Sequence, residues 1–179
     1  IDNAYIISKS RKDYVEDILK IMKLDLSALI DDFNLDINYR SGWNELRKLE
    51  DIFEEQRQKD IYLGFTRYGI HRDEISIKSE NHEVKDILSR GQLKRLSIAL
   101  VIAQIIILRK NSKKPILVLI DDISSELDFK SLEIVLKTLE ILEIQVFITT
   151  IKPLENPFSE GKEYKMFHVE HGMIKAVKS

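Results

Sequence analysis

The stretch ILVLIDDISSELD, residues 116–128, joins an apolar run to a group of acids. Residues 116–120 are all apolar, which is typical of a strand buried on both faces of a parallel sheet. Asp121 and Asp122 follow directly, and Asp128 closes the stretch. Neighbouring carboxylates repel each other, so each is expected to face solvent or a cation. The end of this strand is therefore the first candidate for a functional site.

Two interpretations of the paired acids are open from the residues alone. Ligands of open α/β sheets bind beyond the carboxyl ends of the strands, and Mg²⁺ takes one or two carboxylates together with phosphate oxygens. Asp121 would then hold the water shell of the metal. Asp122, pointing to the opposite face by strand alternation, would orient an attacking water. The alternative is a solvated strand end in which an aspartate caps the next helix.

The sequence after this strand predicts a βαβ unit. Residues 130–142 place their leucines and a valine on one helical face, and IQVFITT, residues 144–150, is a second apolar strand. A helix between two such strands predicts parallel pairing through a right-handed crossover. The closing EYKMFHVEHGMIKAV, residues 163–177, predicts two strands around a turn.

The preceding part of the chain predicts helices and one antiparallel hairpin. Apolar spacing predicts helices over residues 10–32, 44–60 and 92–110, and alternation predicts a strand over 35–39. The helix over 92–110 is so apolar that it is expected to be covered nearly all round. Glycines followed by the alternating EISIKS predict a turn and a hairpin. The HRDE stretch, residues 71–74, could serve catalysis, metal binding or contact between lobes, or form the polar turn that opens this hairpin.

Composition excludes several classes of protein. The 179 residues carry a net charge of −2, so a nucleic-acid partner would need a local basic patch. There is no cysteine, which excludes disulfides and thiolate metal sites. No uninterrupted apolar run reaches the roughly 18 residues of a membrane span, and we expect no membrane partner. Residue 1 is Ile rather than Met, so we expect further sequence upstream.

The stretch LSRGQLKR, residues 88–95, opens the most apolar predicted helix. Ser89 and Gln92 have the spacing of a capping box. A helix start with free backbone N–H groups is also a site for phosphate. Gly91 would let an anion approach the backbone without a side chain in the way. The two interpretations are compatible.

Together these stretches resemble the C-terminal half of an ABC-type ATPase head. LSRGQLKRLSIALVIAQ, residues 88–104, is similar to the signature motif and its helix, and ILVLIDDISSELD is similar to a Walker B strand followed by a D-loop. Within that superfamily the chain resembles the RecF family in its paired aspartates, SELD, GIHRDE, QVFITT and closing FHVEHG. The resemblance implies an α/β fold, namely the C-terminal part of a P-loop NTPase head with a helical lobe and a mostly parallel sheet.

The resemblance also implies a role for each matching residue. Asp121 would hold Mg²⁺ through water, and Asp122 would be the general base or the acid that orients water. A signature motif would contact the γ-phosphate of ATP bound to the other protomer of a homodimer. The remaining site residues are the signature residues Ser89, Gly91 and Gln92, the D-loop residues Ser125 and Asp128, and the switch-region residues Thr149 and Thr150.

The resemblance further implies a helical lobe with a hairpin over residues 1–88 and the C-terminal part of the nucleotide-binding lobe over 89–179. The full-length protein would be a weak ATPase of the bacterial cytoplasm. It would close into a homodimer on ATP, bind DNA at junctions of single and double strands, and help to load RecA with RecO and RecR in repair, replication and the SOS response. No glycine here fits the phosphate-loop pattern G-x-x-x-x-G-K-[ST]. We therefore expect that loop upstream, and we expect these residues alone not to hydrolyse ATP.

Two rival interpretations remain. The chain could be the head of another ABC or SMC-like ATPase, although a transporter subunit would be expected to carry Glu at position 122 and His at position 150. It could instead be a non-catalytic module that binds DNA or a partner protein through its helical lobe.

Overall fold

The computed structural model of the chain describes residues 1–30, 34–154, 158 and 163–177, apart from the side chain of Glu126. The chain divides into two compact units, Ile1–Lys114 and Pro115–Ser179. Both units contain helices and strands, and the α/β class implied by the resemblance is confirmed.

The first unit is mainly helical. Its elements are α1 (Asp2–Leu24), α2 (Ser27–Ile30), β1 (Leu35–Arg40), α3 (Leu49–Leu63), a 3₁₀ turn (Ile70–Arg72), β2 (Glu74–Ser79), β3 (His82–Glu83), α4 (Val84–Ile87) and α5 (Arg90–Asn111). The strands form an antiparallel sheet in the order β1-β2-β3, with Leu35 opposite Ser79. Glu80 and Asn81 both have positive φ, which is the backbone of a tight two-residue hairpin turn. The predicted hairpin is confirmed.

The core of this unit forms where α1 packs against α5 and β1. The buried residues of α1 recur every three or four positions, as one helical face requires, and include Val15, Ile18 and Met22. Helix α5 is not covered all round as predicted, because Val101 remains 54% exposed and Leu108 is exposed as well. In the described part of the chain, α5 is the one helix long and apolar enough to cross a membrane, and core helices pass the same test.

A buried carboxylate joins three segments of the first unit. The side chain of Asp73 is 5% exposed and lies 2.6 Å from the Arg11 guanidinium on α1. Its other oxygen accepts a hydrogen bond from the Gly42 backbone N–H at 2.9 Å. Gly42 itself has no room for a side chain, because a Cβ there would lie 2.1 Å from the Gly69 carbonyl oxygen. The HRDE stretch thus forms the polar turn that opens the hairpin, and its aspartate holds that turn against α1.

The second unit contains the predicted βαβ arrangement. Its elements are β4 (Leu117–Ile120), α6 (Ile123–Glu126), α7 (Phe129–Ile141), β5 (Gln145–Ile148), β6 (Met166–Glu170) and β7 (Met173–Val177). Strands β4 and β5 are parallel, with Ile120 opposite Ile148. Strands β6 and β7 form an antiparallel hairpin around His171 and Gly172, which both have positive φ. Parallel pairing is confined, among the described residues, to β4 and β5.

Several predicted boundaries and burials were wrong. The helix predicted over 10–32 starts at Asp2 and breaks after Leu24, and its predicted last two residues lie outside the described ranges. The helix predicted from residue 44 begins at Leu49. Strand β4 is not buried on both faces, because Leu119 is 73% exposed. The apolar run was interpreted correctly as a strand, but the run alone does not show whether other segments bury both of its faces.

The division into units falls after Lys114, whereas the sequence predicted a lobe boundary at residue 88. Helix α5 belongs to the first unit because it packs on α1 and α2. The assignment of functional lobes to residues 1–88 and 89–179 stays a prediction.

Candidate functional site

The paired acids lie just beyond the end of a parallel strand. Strand β4 ends at Ile120, and Asp121 and Asp122 form the turn into α6. The alternation of side chains expected along a strand therefore does not extend to them. Thr149, directly after β5, lies beside this turn because its backbone N–H donates to the Ile120 carbonyl at 2.9 Å.

The hydroxyl of Thr149 bridges the two acids. Thr149 Oγ1 donates to Asp121 Oδ1 at 2.5 Å and accepts from the Asp122 backbone N–H at 2.8 Å. The Thr149 carbonyl also accepts from the Ile123 N–H at 3.3 Å, so the chain is tied across the strand ends at several points. One hydroxyl thus fixes the direction of the Asp121 carboxylate and the backbone of Asp122.

Asp122 has a left-handed backbone, with φ 44° and ψ 50°. This conformation costs an L-residue about 1–2 kcal/mol, and it persists only where surrounding contacts enforce it. Beside the bond to Thr149, the Asp122 carbonyl accepts from the backbone N–H and the hydroxyl of Ser125, both at 3.1 Å. Ser124 Oγ donates to the Asp122 carboxylate at 3.3 Å. The bond from Ser124 thus holds the side chain that the resemblance assigns to water orientation, and the other contacts hold its backbone.

Asp128 caps the next helix. Its carboxylate accepts from the Ser131 backbone N–H and from the Ser131 hydroxyl, each at 2.9 Å. The alternative in which an aspartate of this stretch is a helix cap is therefore confirmed for Asp128. The D-loop role of Ser125 and Asp128 across a dimer interface stays a prediction.

The donor set at Asp121 fits a hydrated magnesium ion. The side chain is exposed, one carboxylate oxygen bonds to Thr149, and the other makes no hydrogen bond within the described residues. Nowhere in the described ranges do three or more His, Asp or Glu side chains form a metal-holding group. Mg²⁺ commonly keeps several waters and takes one or two carboxylates plus phosphate oxygens. A single oriented carboxylate is consistent with that mode of binding.

The start of α5 forms the predicted capping box. Ser89 Oγ accepts from the Gln92 backbone N–H at 3.3 Å, and Gln92 Oε1 accepts from the Ser89 N–H at 2.8 Å. Gly91 has no steric reason to be glycine, since a Cβ there would meet no atom within 4 Å and its φ is not positive. The small residue leaves open space beside the backbone at a helix start, where an anion can approach.

The structure connects some of the predicted site residues by hydrogen bonds. Thr149 is bonded to both acids, whereas Thr150 makes no hydrogen bond within the described part of the chain. The signature residues belong to the first unit and the acids to the second. Sequence reasoning placed Thr149 in a switch region but missed its bridge to the acids. The available signal was a hydroxyl residue directly after a strand parallel to β4.

Comparison with known proteins identifies the family. No family model matches the chain. The protein "DNA replication and repair protein RecF" of Idiomarina loihiensis is 40% identical over 149 residues, which cover 82% of this chain and 42% of that protein. The protein of the same name from Vibrio atlanticus is 34% identical over 171 residues, which cover 96% of this chain and 48% of that protein. The chain thus spans about half the length of the curated relatives it matches.

Solved structures show the same fold. A structure described as "the recombination mediator protein RecF-ATPrS in RecFOR pathway" covers 98% of this chain with a TM-score of 0.68 at 22% identity, and the match spans 47% of that chain. The corresponding ATP form has a TM-score of 0.67. Because sequence relatives match most of its length and solved RecF structures share its fold, the chain belongs to the RecF family and corresponds to the C-terminal portion of those proteins.

Proposed function

We propose that the RecF protein containing this sequence is an ATP-dependent DNA-binding protein of recombinational repair and replication, which dimerises when it binds ATP. The observation that carries the proposal is the Thr149 hydroxyl that bonds to both Asp121 and Asp122 at the ends of two parallel strands. Ligands of open α/β sheets bind at this edge. Two acids with separately fixed orientations suit two separate tasks there.

Asp121 would hold Mg²⁺ through its water shell, with Thr149 keeping the carboxylate in place. The ion, when bound, would neutralise charge on the phosphate oxygens of ATP. Asp122 would orient the attacking water and accept its proton, since Ser124 already holds that carboxylate in one direction. Asp is one methylene shorter than Glu, so the carboxylate reaches less far toward the water. We infer that hydrolysis is slow, as suits a protein that holds DNA for a period and then releases it.

The helix start at Ser89, Gly91 and Gln92 would contact the γ-phosphate of ATP bound to the partner protomer. The open space at Gly91 and the positive end of the α5 dipole both favour an anion at this point. The phosphate-binding loop itself is not among these 179 residues. We therefore propose that this portion alone does not hydrolyse ATP and that the rest of the RecF protein supplies the loop.

The proposed partners follow from the relatives. RecF relatives are named for DNA replication and repair, and a solved one is described as a mediator in the RecFOR pathway. We propose that the full-length protein acts in the bacterial cytoplasm, binds gapped DNA at junctions of single and double strands, and works with RecO and RecR to load RecA, including during the SOS response.

The test is the substitution Asp122→Asn in a full-length RecF protein that carries this sequence. The amide keeps the size of the side chain but cannot accept the proton of water, so ATP should be bound and not hydrolysed. The variant should accumulate as a dimer when ATP and Mg²⁺ are present, measured by sedimentation velocity. If neither the parent nor the variant changes its mass on adding nucleotide, the chain is a non-catalytic binding module and the proposal is wrong.

A pair of threonine variants tests the site within the same protein. Thr149→Val removes the hydroxyl that bonds to the Asp121 carboxylate and to the Asp122 backbone N–H, and Thr150→Val removes one that makes no hydrogen bond within the described residues. We expect Thr149→Val to lower the ATP turnover roughly 10-fold or more, about the effect of losing one hydrogen bond to a charged group. Thr149→Ser should restore most of it, and Thr150→Val should have little effect. Equal losses in the two valine variants would show that the bridge is irrelevant.

A further inference from the structure

The first unit contains a cleft that shares no residue with the proposed ATP site. This cleft, which we call the α1–β2 cleft, has a volume of about 390 Å³ and is lined by residues of α1, β1, the 3₁₀ turn and the start of β2. All of them belong to Ile1–Lys114. The volume is within the range of about 300–1,000 Å³ that is typical of binding sites. The lining includes His71 and Asp73 of the HRDE stretch, to which the proposed ATP chemistry gives no role.

Much of the lining is apolar and open to solvent. Tyr14 of α1 is 38% exposed and Ile75 of β2 is 53% exposed. Tyr39 lies opposite Ile75 in the register of β1 and β2, so the two side chains share one face of the sheet. Ile37 is two residues before Tyr39, points to the same face and is buried. This face of the sheet is therefore covered at one end and open at the end that lines the cleft.

The charged Arg11, Asp73 and Glu74 of the lining are already paired. Arg11 Nη1 donates to the Asp73 carboxylate at 2.6 Å and to the Ile70 carbonyl at 2.7 Å. Glu74 forms an exposed ion pair with Arg40 of β1 at 2.8 Å. An ionic ligand would have to compete with these pairs, whereas an apolar group would leave them intact. The lining thus favours an apolar ligand.

Arg11 retains hydrogen-bond donors beside this apolar surface. Within the described residues only its Nη1 atom is hydrogen-bonded, and a guanidinium carries five N–H groups on three nitrogens. The side chain is half-exposed, so its remaining N–H groups can donate to an acceptor at the cleft. A backbone carbonyl is an acceptor without net charge. The cleft is therefore suited to an apolar side chain accompanied by a peptide group.

The cleft is held in shape by internal bonds, yet it is too open to enclose a free small molecule. Asp73 also accepts from the Gly42 N–H, and His71 Nε2 is hydrogen-bonded to the Thr66 carbonyl at 2.7 Å, so the turn is fixed before a ligand arrives. Small-molecule sites cover about 70–90% of their ligand. A protein partner does not need such a site, because its anchoring side chain brings surrounding surface that excludes water.

We propose that the α1–β2 cleft is a docking site for a partner protein, which inserts one large apolar side chain and places a backbone carbonyl against Arg11. Asp73 and Glu74 in the lining oppose the phosphates of a nucleic acid, so a protein is the occupant that this chemistry favours. The proposal goes beyond the ATP-dependent function, because docking here requires neither nucleotide nor DNA.

The probe is N-acetyl-phenylalaninamide, which carries one apolar side chain between two amide groups. It is titrated, without nucleotide, into a full-length RecF protein that contains this sequence, and the δ-methyl groups of isoleucine are followed by NMR. The methyl groups of Ile70 and Ile75 line the cleft and should shift, with a dissociation constant of about 1 mM for a ligand of this size. Ile61 of α3 is 65% exposed but does not line the cleft, and its methyl group should not shift. Substitution of each isoleucine by valine assigns its signal.

Matched variants locate the binding. Tyr14→Ala removes part of the apolar lining and should weaken binding about 5-fold or more. Tyr62→Ala removes an exposed ring of α3 outside the lining and should have no effect. Arg11→Lys keeps the positive charge beside Asp73 but offers fewer donors, and should weaken binding about 2- to 10-fold, the value of one hydrogen bond. N-acetyl-lysinamide at the same concentration should not shift the methyl groups of the cleft. Circular dichroism of each variant checks that the helices are retained.

Four results would overturn the proposal. If Ile70 and Ile75 shift in the 179-residue chain but not in the full-length protein, the rest of the RecF protein fills the cleft. Equal binding by Tyr14→Ala would place the probe elsewhere. Preference for the lysine probe would make the cleft a cation site. Shifts that depend on protein concentration without a probe would make a second copy the occupant. None of these measurements needs ATP, so a failure here is distinct from a failure of the Asp122→Asn test of the proposed function.

Discussion

Replacing Gly91 by alanine is expected to stabilise the fold and to impair nucleotide-dependent assembly. Gly91 is the second residue after the cap of α5, and its φ is not in the left-handed region. A Cβ at this position would touch no atom within 4 Å. The methyl group therefore creates no clash, and the substitution reduces the conformational freedom of the unfolded chain.

The magnitude follows from these two facts. Gly→Ala at a helical position that accepts alanine without strain stabilises the fold by about 0.4–1 kcal/mol. For a chain of this length we expect the melting temperature of the first unit to rise by roughly 1–4 °C. In the full-length protein the same methyl group occupies the space through which a phosphate would reach the backbone N–H groups. Loss of a hydrogen bond to a charged group, about 1.5–3 kcal/mol, corresponds to roughly 10- to 100-fold weaker ATP-dependent dimerisation.

Two measurements check the prediction. Thermal unfolding of the 179-residue chain, followed by circular dichroism, gives the stability. Sedimentation velocity of the full-length protein with ATP gives the dimerisation. Gly64→Ala is the matched control, because Gly64 also has open space around it but has φ 77°, so alanine there should cost about 1–2 kcal/mol. Normal dimerisation in Gly91→Ala would refute the phosphate-site assignment, and destabilisation would refute the description of this helix start.

Three further predictions concern the rest of the fold. Asp73→Ala should lower the free energy of unfolding by roughly 2 kcal/mol in a urea titration, because it leaves the Gly42 N–H without an acceptor and half-exposed Arg11 without its partner; an unchanged midpoint would contradict this. Burial, and then the hydrogen bond with Asp73, raise the pKa of Tyr39. As pH rises, the phenol ionises in the unfolded chain before it ionises in the folded one. The stability contributed by Tyr39 is therefore present below about pH 10 and is lost as pH rises through the raised native pKa. Tyr39→Phe should reduce this loss of unfolding free energy at alkaline pH, and the same pH dependence in variant and parent would contradict the prediction. Leu119→Thr should reduce concentration-dependent self-association of the isolated chain, measured by light scattering, because Leu119 is 73% exposed on a strand face. Unaltered scattering would show that this face does not drive self-association.

How far the sequence predicted the molecule depended on the range of the interactions. The acids at the end of β4, the βαβ arrangement and the capping box of Ser89 and Gln92 follow from neighbouring residues, and all three were predicted. The pair of Arg11 and Asp73 joins residues 62 positions apart, and no local pattern indicates such a pair. The Thr149 bridge depends on the register of β4 and β5, which the apolar runs alone do not specify.

The candidate site shows the same limit. Its residues were identified from motifs, yet the left-handed backbone of Asp122 could not be foreseen, because it results from bonds made by Thr149 and Ser125. The solvent exposure of the strand faces could not be predicted from the sequence either. A run such as that of β4 indicates where apolar surface exists, but whether another segment lies on it is decided by the rest of the chain.

The capping box has a consequence for how α5 would respond to a ligand. Ser89 Oγ and the Gln92 side chain each accept a hydrogen bond from the other residue's backbone N–H. Both N–H groups are therefore already hydrogen-bonded when no ligand is present. A phosphate that used the N–H groups of Ser89 and Gln92 would have to share or displace these hydrogen bonds, so the free energy of its own bonds to them would be partly offset. The helix start would then bind the phosphate of the other protomer more weakly than the number of hydrogen bonds suggests. When the phosphate leaves, the capping box would form again, which would favour separation of the two protomers.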